Sequence, residues 1–159
     1  MTIRKLRYDD IERLLSILHK TNVFSQEEID VAKELMDLYL DKPDQKDYEF
    51  FCAADERDHV LGYTCFGPTP MTRGTFDLYW IAVDPSLHRH GVGKELLRFS
   101  EGEISFRGGR LIVVETSSRP DYEPTRKFYL SQEYREIARI NEYYKAGDDL
   151  VIYGKYLSQ

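Results

Sequence analysis

The sequence has little cysteine, no long apolar run and a deficit of basic residues. Its two thiols, Cys52 and Cys65, lie in apolar strand-like runs, and with four scattered histidines they give no metal-ligand spacing. We therefore expect two buried cysteines and no metal site. No segment approaches the roughly 18 to 20 consecutive apolar residues that cross a bilayer, and the first residues lack the apolar run of a secretory signal. These absences predict a cytoplasmic protein with no membrane partner.

Basic residues are outnumbered, since 22 Lys and Arg stand against 28 Asp and Glu, which gives a net charge of −6. Nucleic-acid binding requires clustered positive charge to neutralise phosphates, so this balance argues against a nucleic-acid partner. It weakly favours a cationic substrate. The chain has 159 residues, 42% of them hydrophobic, which fits one domain over residues 1–159 with a packed core.

Apolar periodicity and turn residues predict a mixed order of helices and strands. Helices are expected from Asp9-Asp10, from Ser25 (which forms a capping-box pair with Glu28), after residue 94 with Phe106 among its apolar positions, and over 125–132. The predicted strands are 3–7, 48–54, 60–66, 76–83, 111–116, 137–144 and 150–156. This order predicts an α/β (α+β) protein with a largely antiparallel sheet.

The loop before the third predicted helix has the composition of an anion site. Gly91 and Gly93 let a ligand approach the backbone closely, and the first N–H groups of the helix have no partner inside it. The helix dipole adds positive potential there, and Arg89, His90 and Lys94 can add more. Together these features suit a pyrophosphate.

The glycine spacing excludes two common phosphate motifs. A P-loop needs Gly at position 88 and Ser or Thr at position 95, where this chain has His88 and Glu95. A dinucleotide fingerprint needs a third glycine at position 96, which is Leu96. On the loop alone, a glycine-rich cap that only begins a surface helix is equally compatible with the sequence.

The loop and its flanks resemble the Gcn5-related N-acetyltransferase (GNAT) superfamily. The family's acetyl-CoA motif is Gln/Arg-x-x-Gly-x-Gly/Ala after an apolar strand that ends near Val-x-Pro. The chain has Val83-Asp84-Pro85, followed by His88-Arg89-His90-Gly91-Val92-Gly93, so His88 replaces Gln or Arg. The segment 125–134 is similar to the family's Ala-x-x-Phe-Tyr-x-x-x-Gly-Phe helix, with Thr125, Glu133 and Tyr134 as departures.

The resemblance implies a GNAT-like fold and acetyl-CoA as acyl-donor cosubstrate. The fold would have helices on both faces of a mostly antiparallel sheet, with a splay between the fourth and fifth strands, 76–83 and 111–116. Pantetheine would lie in that gap like an added strand, and pyrophosphate would rest on the loop. The implied cofactor-binding residues are Ile81, Ala82, Val83, His88, Arg89, His90, Gly91, Val92, Gly93 and Lys94.

The resemblance also implies direct transfer of acetyl to a primary amine of a small-molecule or peptide acceptor. Tyr129 matches the family's acid tyrosine, which would protonate the departing thiolate. For the base, Asp77 matches the strand glutamate of the histone-acetyltransferase branch. Glu115 matches the glutamate of the ribosomal-protein N-terminal acetyltransferase branch. A water chain is the third alternative, and each of these side chains could instead be structural.

Aromatic residues near these positions are candidate walls of an acceptor pocket. They are Tyr79, Trp80 and Tyr122, although core packing explains Trp80 at least as well. Strict alternation would place Asp77, Tyr79, Ile81 and Val83 on one face of the sheet. A bulge, which is common beside active sites, would shift that pattern.

Two rival functions use the same predicted fold. One is a non-catalytic acyl-CoA-binding or sensing domain, which would keep the glycine loop but not need Tyr129. The other is a protein-interaction module that docks through the helix over residues 27–40. A homodimer is a further expectation that the family resemblance implies, and the predicted exposed aromatics Tyr143, Tyr144 and Tyr153 add a small indication of it.

Overall fold

A computed structural model describes residues 1–88 and 90–158, and within these ranges four α-helices cover one seven-stranded sheet. The strands are β1 (Thr2–Lys5), β2 (Glu49–Ala54), β3 (Val60–Pro68), β4 (Thr75–Val83), β5 (Leu111–Ser117), β6 (Arg135–Lys145) and β7 (Asp148–Tyr156). The helices are α1 (Ile11–Lys20), α2 (Gln26–Asp41), α3 (Val92–Phe106) and α4 (Glu123–Ser131). The strand order is β1-β2-β3-β4-β5-β7-β6, and β4–β5 is the parallel pair. The mixed, mostly antiparallel fold predicted from the sequence is confirmed.

Local hydrogen bonds explain where several elements begin and end. The Ser25 hydroxyl accepts from the Glu28 N–H at 3.1 Å, and the Glu28 carboxylate accepts from the Ser25 N–H at 3.2 Å, so the predicted capping box begins α2. β1 ends at Lys5 rather than at residue 7, because the Arg7 N–H donates to the Asp10 carboxylate at 2.8 Å instead of to β2.

Helices on both faces of the sheet enclose separate parts of the core. Leu14, Ile17 and Met36 of α1 and α2 pack on one face, together with the buried free thiols of Cys52 and Cys65. None of the helices in the described ranges combines the length and apolarity needed to cross a bilayer. Ile29, Ala32 and Met36 form the side of α2 that faces the core.

The opposite face is covered by α3 and α4. Leu97 and Ile104 of α3 and Tyr129 of α4 pack there on Ile112. Phe106, one of the apolar positions predicted for this helix, is 90% exposed. Positions i and i+2 of a helix point about 200° apart around its axis, so the Phe106 side chain is turned away from that of Ile104.

A bulge in β4 breaks its alternation. Cys65 pairs with Trp80 and Phe66 pairs with Leu78, so Tyr79 is the extra residue. Ile81 consequently packs on the α3 side, and Asp77 and Tyr79 do not share its face as strict alternation predicted. The bulge places two aromatic rings and a carboxylate on the α1–α2 face.

The parallel strands β4 and β5 separate along their length. Among the described residues they pair at Thr75–Leu111, Phe76–Ile112 and Asp77–Val113, and the pairing stops there. β5 continues along β7 as far as Ser117. The splay predicted between the fourth and fifth strands is therefore confirmed, and it opens toward the carboxyl ends of both strands.

One edge strand of the sheet is β6, whose residues are all exposed. Tyr143 and Tyr144 are 56% and 48% exposed, as predicted. Tyr153 is only 4% exposed, so that prediction was wrong. It lies on β7, between β5 and β6, where alternation turns its ring into the core beneath α3 and α4.

Candidate active site

A cleft of about 1180 Å³ opens where β4 and β5 separate. Its walls are residues 77–83 of β4 and 113–117 of β5, the α1–α2 connection with the start of α2, the segment that leads into α4, and the β6–β7 turn. Because the two strands part here, the cleft connects the α3–α4 face of the sheet with the α1–α2 face. Two ligands could therefore meet in the gap from opposite sides.

Main-chain groups of Ile81 and Val83 point into this gap. The Asp84 N–H donates to the Leu61 carbonyl at 2.9 Å. In an antiparallel ladder this makes Gly62–Val83 a pair without mutual hydrogen bonds, and Ile81, two residues away, has the same orientation. Their N–H and C=O groups thus face away from β3 and are available to an added strand-like ligand.

His88 and Ala82 flank these groups in different ways. Nε2 of His88 lies 3.3 Å from the Val83 carbonyl oxygen, and its side chain lines the cleft. Ala82 alternates with its neighbours, so its main-chain groups turn toward β3, where it pairs with Tyr63. Of the three β4 residues predicted at the cofactor, Ile81 and Val83 present hydrogen-bonding groups to the gap.

The anion loop ends where α3 begins. Gly91 has φ 81° and ψ 3°, a left-handed conformation that favours glycine. The first bond of the helix joins the Glu95 N–H to the Gly91 carbonyl at 3.0 Å, so the N–H groups of residues 92–94 have no acceptor within the helix. His90 and Lys94 are exposed beside them. Arg89 lies outside the described residues.

Asp84 anchors the start of this loop, although the sequence did not single it out. Its carboxylate accepts from the Ser86 N–H at 3.0 Å, from the Ser86 hydroxyl at 2.9 Å and from Arg13 Nη2 at 2.5 Å. The Ser86 N–H and the Arg13 guanidinium lower the pKa of this buried carboxyl to about 2. The run Asp84-Pro85-Ser86 after a strand is the turn signature that could have revealed it.

Tyr129 lies on the α3–α4 side of the cleft and is 4% exposed. Its ring packs 5.3 Å from Phe128 and 5.5 Å from Tyr134, measured between centroids. Burial raises the pKa of the Tyr129 phenol, so it stays protonated at neutral pH. A protonated phenol facing the gap can donate a hydrogen bond or a proton.

Asp77 and Glu115 both line the cleft from the other face of the sheet. Asp77 opposes Val113, and Glu115 lies two residues further along β5, which puts its side chain on the same face. The Asp77 carboxylate accepts from the Thr69 hydroxyl at 2.8 Å, and Glu115 is exposed. The structure thus brings both predicted base candidates to the same opening, across the gap from Tyr129.

The three predicted aromatic walls also line the cleft. Tyr79 and Trp80 are half-buried with ring centroids 6.3 Å apart, and both also pack on the α1–α2 core. Tyr122 lies beneath Arg119, whose guanidinium carbon is 5.1 Å from the ring centroid. Burial and the charge of Glu28 raise the pKa of Tyr122 to about 12.

Several residues of the cleft were missed by the sequence analysis. Glu28, Arg119, Tyr144 and Asp148 come from four segments and line the same cleft. Asp148 precedes the predicted last strand in a polar turn, and no local pattern distinguishes it from a solvated residue. In the described parts of the chain, no three His, Cys, Asp or Glu side chains converge where a metal ion could bind.

Comparisons with known proteins agree with this geometry. The model of the Acetyltransferase (GNAT) family matches residues 11–134. A GNAT-family protein from Desulfovibrio desulfuricans is 38% identical over 99% of both chains, with a TM-score of 0.94. The search of the curated proteins finds no match.

More distant solved structures share the fold. An aminoglycoside 6'-N-acetyltransferase complexed with coenzyme A is 16% identical over 100% of this chain and 99% of that one, with a TM-score of 0.77. The ribosomal-protein-S18-alanine N-acetyltransferase of Escherichia coli is 20% identical over 99% and 94%, with a TM-score of 0.76. By its family match and its resemblance to the Desulfovibrio protein, the chain belongs to the GNAT family of acetyltransferases.

Proposed function

We propose that the protein transfers an acetyl group from acetyl-CoA to a primary amine of a small-molecule or peptide acceptor. The observation that carries this proposal is the single cleft that joins three features. These are the outward main-chain groups of Ile81 and Val83, the buried phenol of Tyr129 and the carboxylates of Asp77 and Glu115. Membership of the GNAT family supports acyl-CoA as the donor.

The residues present fit such a donor. The gap between β4 and β5 leaves main-chain groups without a neighbouring strand, and the free N–H groups at the start of α3 suit a pyrophosphate. When bound, acetyl-CoA supplies a thioester whose carbonyl carbon accepts the electron pair of the amine.

The chain's own groups then have distinct roles. A lysine-like amine has a pKa near ~10.4 and must lose a proton to attack; Asp77, Glu115 or a water chain takes that proton. As the C–N bond forms and the C–S bond breaks, a main-chain N–H of β4 near Ile81 stabilises the charge on the carbonyl oxygen. Tyr129 donates to the departing sulfur.

The test is release of free thiol from acetyl-CoA in the presence of a panel of amines. The wild-type protein should release thiol only when an amine is present. Tyr129→Phe should lower kcat by about 10²-fold, within the range for loss of a general acid. Tyr134→Phe is the matched control. The Tyr134 ring packs against Tyr129 in the same core, but Tyr134 does not line the cleft.

Two outcomes would contradict the proposal. A protein that binds acetyl-CoA but releases no thiol with any amine would be an acyl-CoA sensor. Equal kcat values for the wild type and Tyr129→Phe would remove the phenol from the chemistry.

A further inference from the structure

The cleft carries a marked excess of negative charge. Six acidic side chains line the cleft among the described residues, against two basic ones, Arg119 and Lys145. Arg119 is already engaged, since it donates to the Val23 carbonyl at 3.2 Å and lies 3.2 Å from the Asp121 carboxylate. The acidic residues are Glu27, Glu28, Asp77, Glu115, Asp121 and Asp148.

Asp148 is the most unusual of these carboxylates, because it is only 4% exposed. One of its oxygens accepts a hydrogen bond from the Ser117 hydroxyl, and the other has no partner among the described residues. Its side chain lines the cleft. An ammonium group in the cleft would give this carboxylate a charge-assisted hydrogen bond, which is stronger than a hydrogen bond between neutral groups.

Other acidic groups converge on the same place through Tyr144. Burial and then the charges of Glu115, Asp148 and Glu28 raise the pKa of the Tyr144 phenol to about 12, so three carboxylates act on one ring. The ring is 48% exposed at the cleft wall and can also attract a cation through its face.

These groups also lie at a defined distance from the gap. Glu115 and Ser117 share a face of β5, and two residues of strand span about 7 Å. Because the Ser117 hydroxyl donates a hydrogen bond to Asp148, the Asp148 carboxylate lies about 7 Å beyond Glu115 along the strand.

We propose that Glu28, Tyr144 and Asp148 bind a second ammonium group of the acceptor, so that the preferred substrates are compact diamines or polyamino compounds. This inference rests on the proposed function and specifies its acceptor class. One amine enters the gap beside Asp77 and Glu115, while a second, still protonated, pairs with Asp148. A neutral group at the second position would leave the buried carboxylate unpaired.

The test is calorimetric titration of 1,4-diaminobutane and of pentylamine, which replaces the second ammonium with a methyl group. Both are titrated into the whole protein with and without saturating coenzyme A, and kanamycin forms a further arm that separates a linear from a ring-bearing polyamine. The diamine should bind about tenfold or more tightly than pentylamine, as expected for one buried charged hydrogen bond.

Three variants localise the effect. Asp148→Asn should remove most of the preference for the diamine, and Glu28→Gln, which keeps a carbonyl for the Ser25 N–H, should reduce it in part. Glu34→Gln, on an exposed part of the same helix, should leave it unchanged. If Asp148→Asn does not fold, Glu28→Gln carries the comparison.

Equal affinity for the two amines, no binding of the diamine, or an unchanged preference in Glu28→Gln and Asp148→Asn would overturn the inference. The proposed function fails separately, if coenzyme A itself does not bind or if no amine promotes thiol release. Preference for kanamycin over diaminobutane would support the second ammonium site and assign a ring-bearing acceptor.

Discussion

Replacing Asp84 with Asn tests whether the turn before the anion loop depends on a buried charge. The substitution keeps the shape and one acceptor oxygen, but it removes the negative charge that faces Arg13. Asp84 is 6% exposed and holds both the N–H and the hydroxyl of Ser86. The variant should therefore lose stability and weaken coenzyme A binding together.

The magnitude follows from the pKa of the Asp84 carboxyl, which is lowered from 3.8 to about 2. At 1.36 kcal/mol per unit this corresponds to about 2 kcal/mol, and the partial exposure of Arg13 reduces the figure to about 1–2 kcal/mol. Because the folded pKa lies below the unfolded value, this stability is present above pH 3.8 and is lost as the pH falls toward 2. At pH 3 about half of it should remain.

Urea unfolding of the wild type and Asp84→Asn at pH 7 and pH 3 measures this contribution. We expect the variant to be about 1–2 kcal/mol less stable at pH 7 and the difference to shrink at pH 3. The matched control is Asp44→Asn at an exposed position, which should change stability by less than about 0.5 kcal/mol. A difference that is absent at pH 7, or that grows on acidification, would refute the reasoning.

Three further predictions concern backbone strain and the base. Glu133 has φ 69° just after α4, so Glu133→Gly should raise the free energy of unfolding by about 0.5–1 kcal/mol, measured by urea; an unchanged or lower value would contradict this. Gly91→Ala, at φ 81°, should weaken coenzyme A binding in calorimetry, and unaltered affinity would remove Gly91 from the site. Of Asp77→Asn and Glu115→Gln, the one that removes the base should lower kcat/KM by about 10²–10⁴; if both variants keep the wild-type kcat/KM, a water chain is the base.

Much of the fold could be predicted because its signals are local. The capping pair Ser25–Glu28 and the hydrophobic periodicity of the helices lie within one or two turns of chain. The bulge at Tyr79 could be anticipated only in general, because its position depends on how β3 shifts register between Cys65 and Phe66. The splay could be predicted only through the family resemblance, because no residue of β4 or β5 alone encodes where the pairing of these strands stops.

The site has a donor half, which would bind coenzyme A, and an acceptor half, which would bind the amine, and they differ in how far the sequence predicts them. The donor half could be predicted because its glycines and the Phe128-Tyr129 pair occur in short motifs with fixed spacing. The acceptor half could not, because Glu28, Tyr144 and Asp148 come from distant segments that meet only after the sheet forms. The link between Arg13 and Asp84, 71 positions apart, was missed for the same reason.

A structure determined with bound coenzyme A tests the central claim most directly. Pantetheine should lie in the gap between β4 and β5, hydrogen-bonded to main-chain groups of Ile81 or Val83, with the sulfur within about 3.5 Å of the Tyr129 hydroxyl. Coenzyme A bound elsewhere, or a sulfur turned away from that phenol, would contradict it.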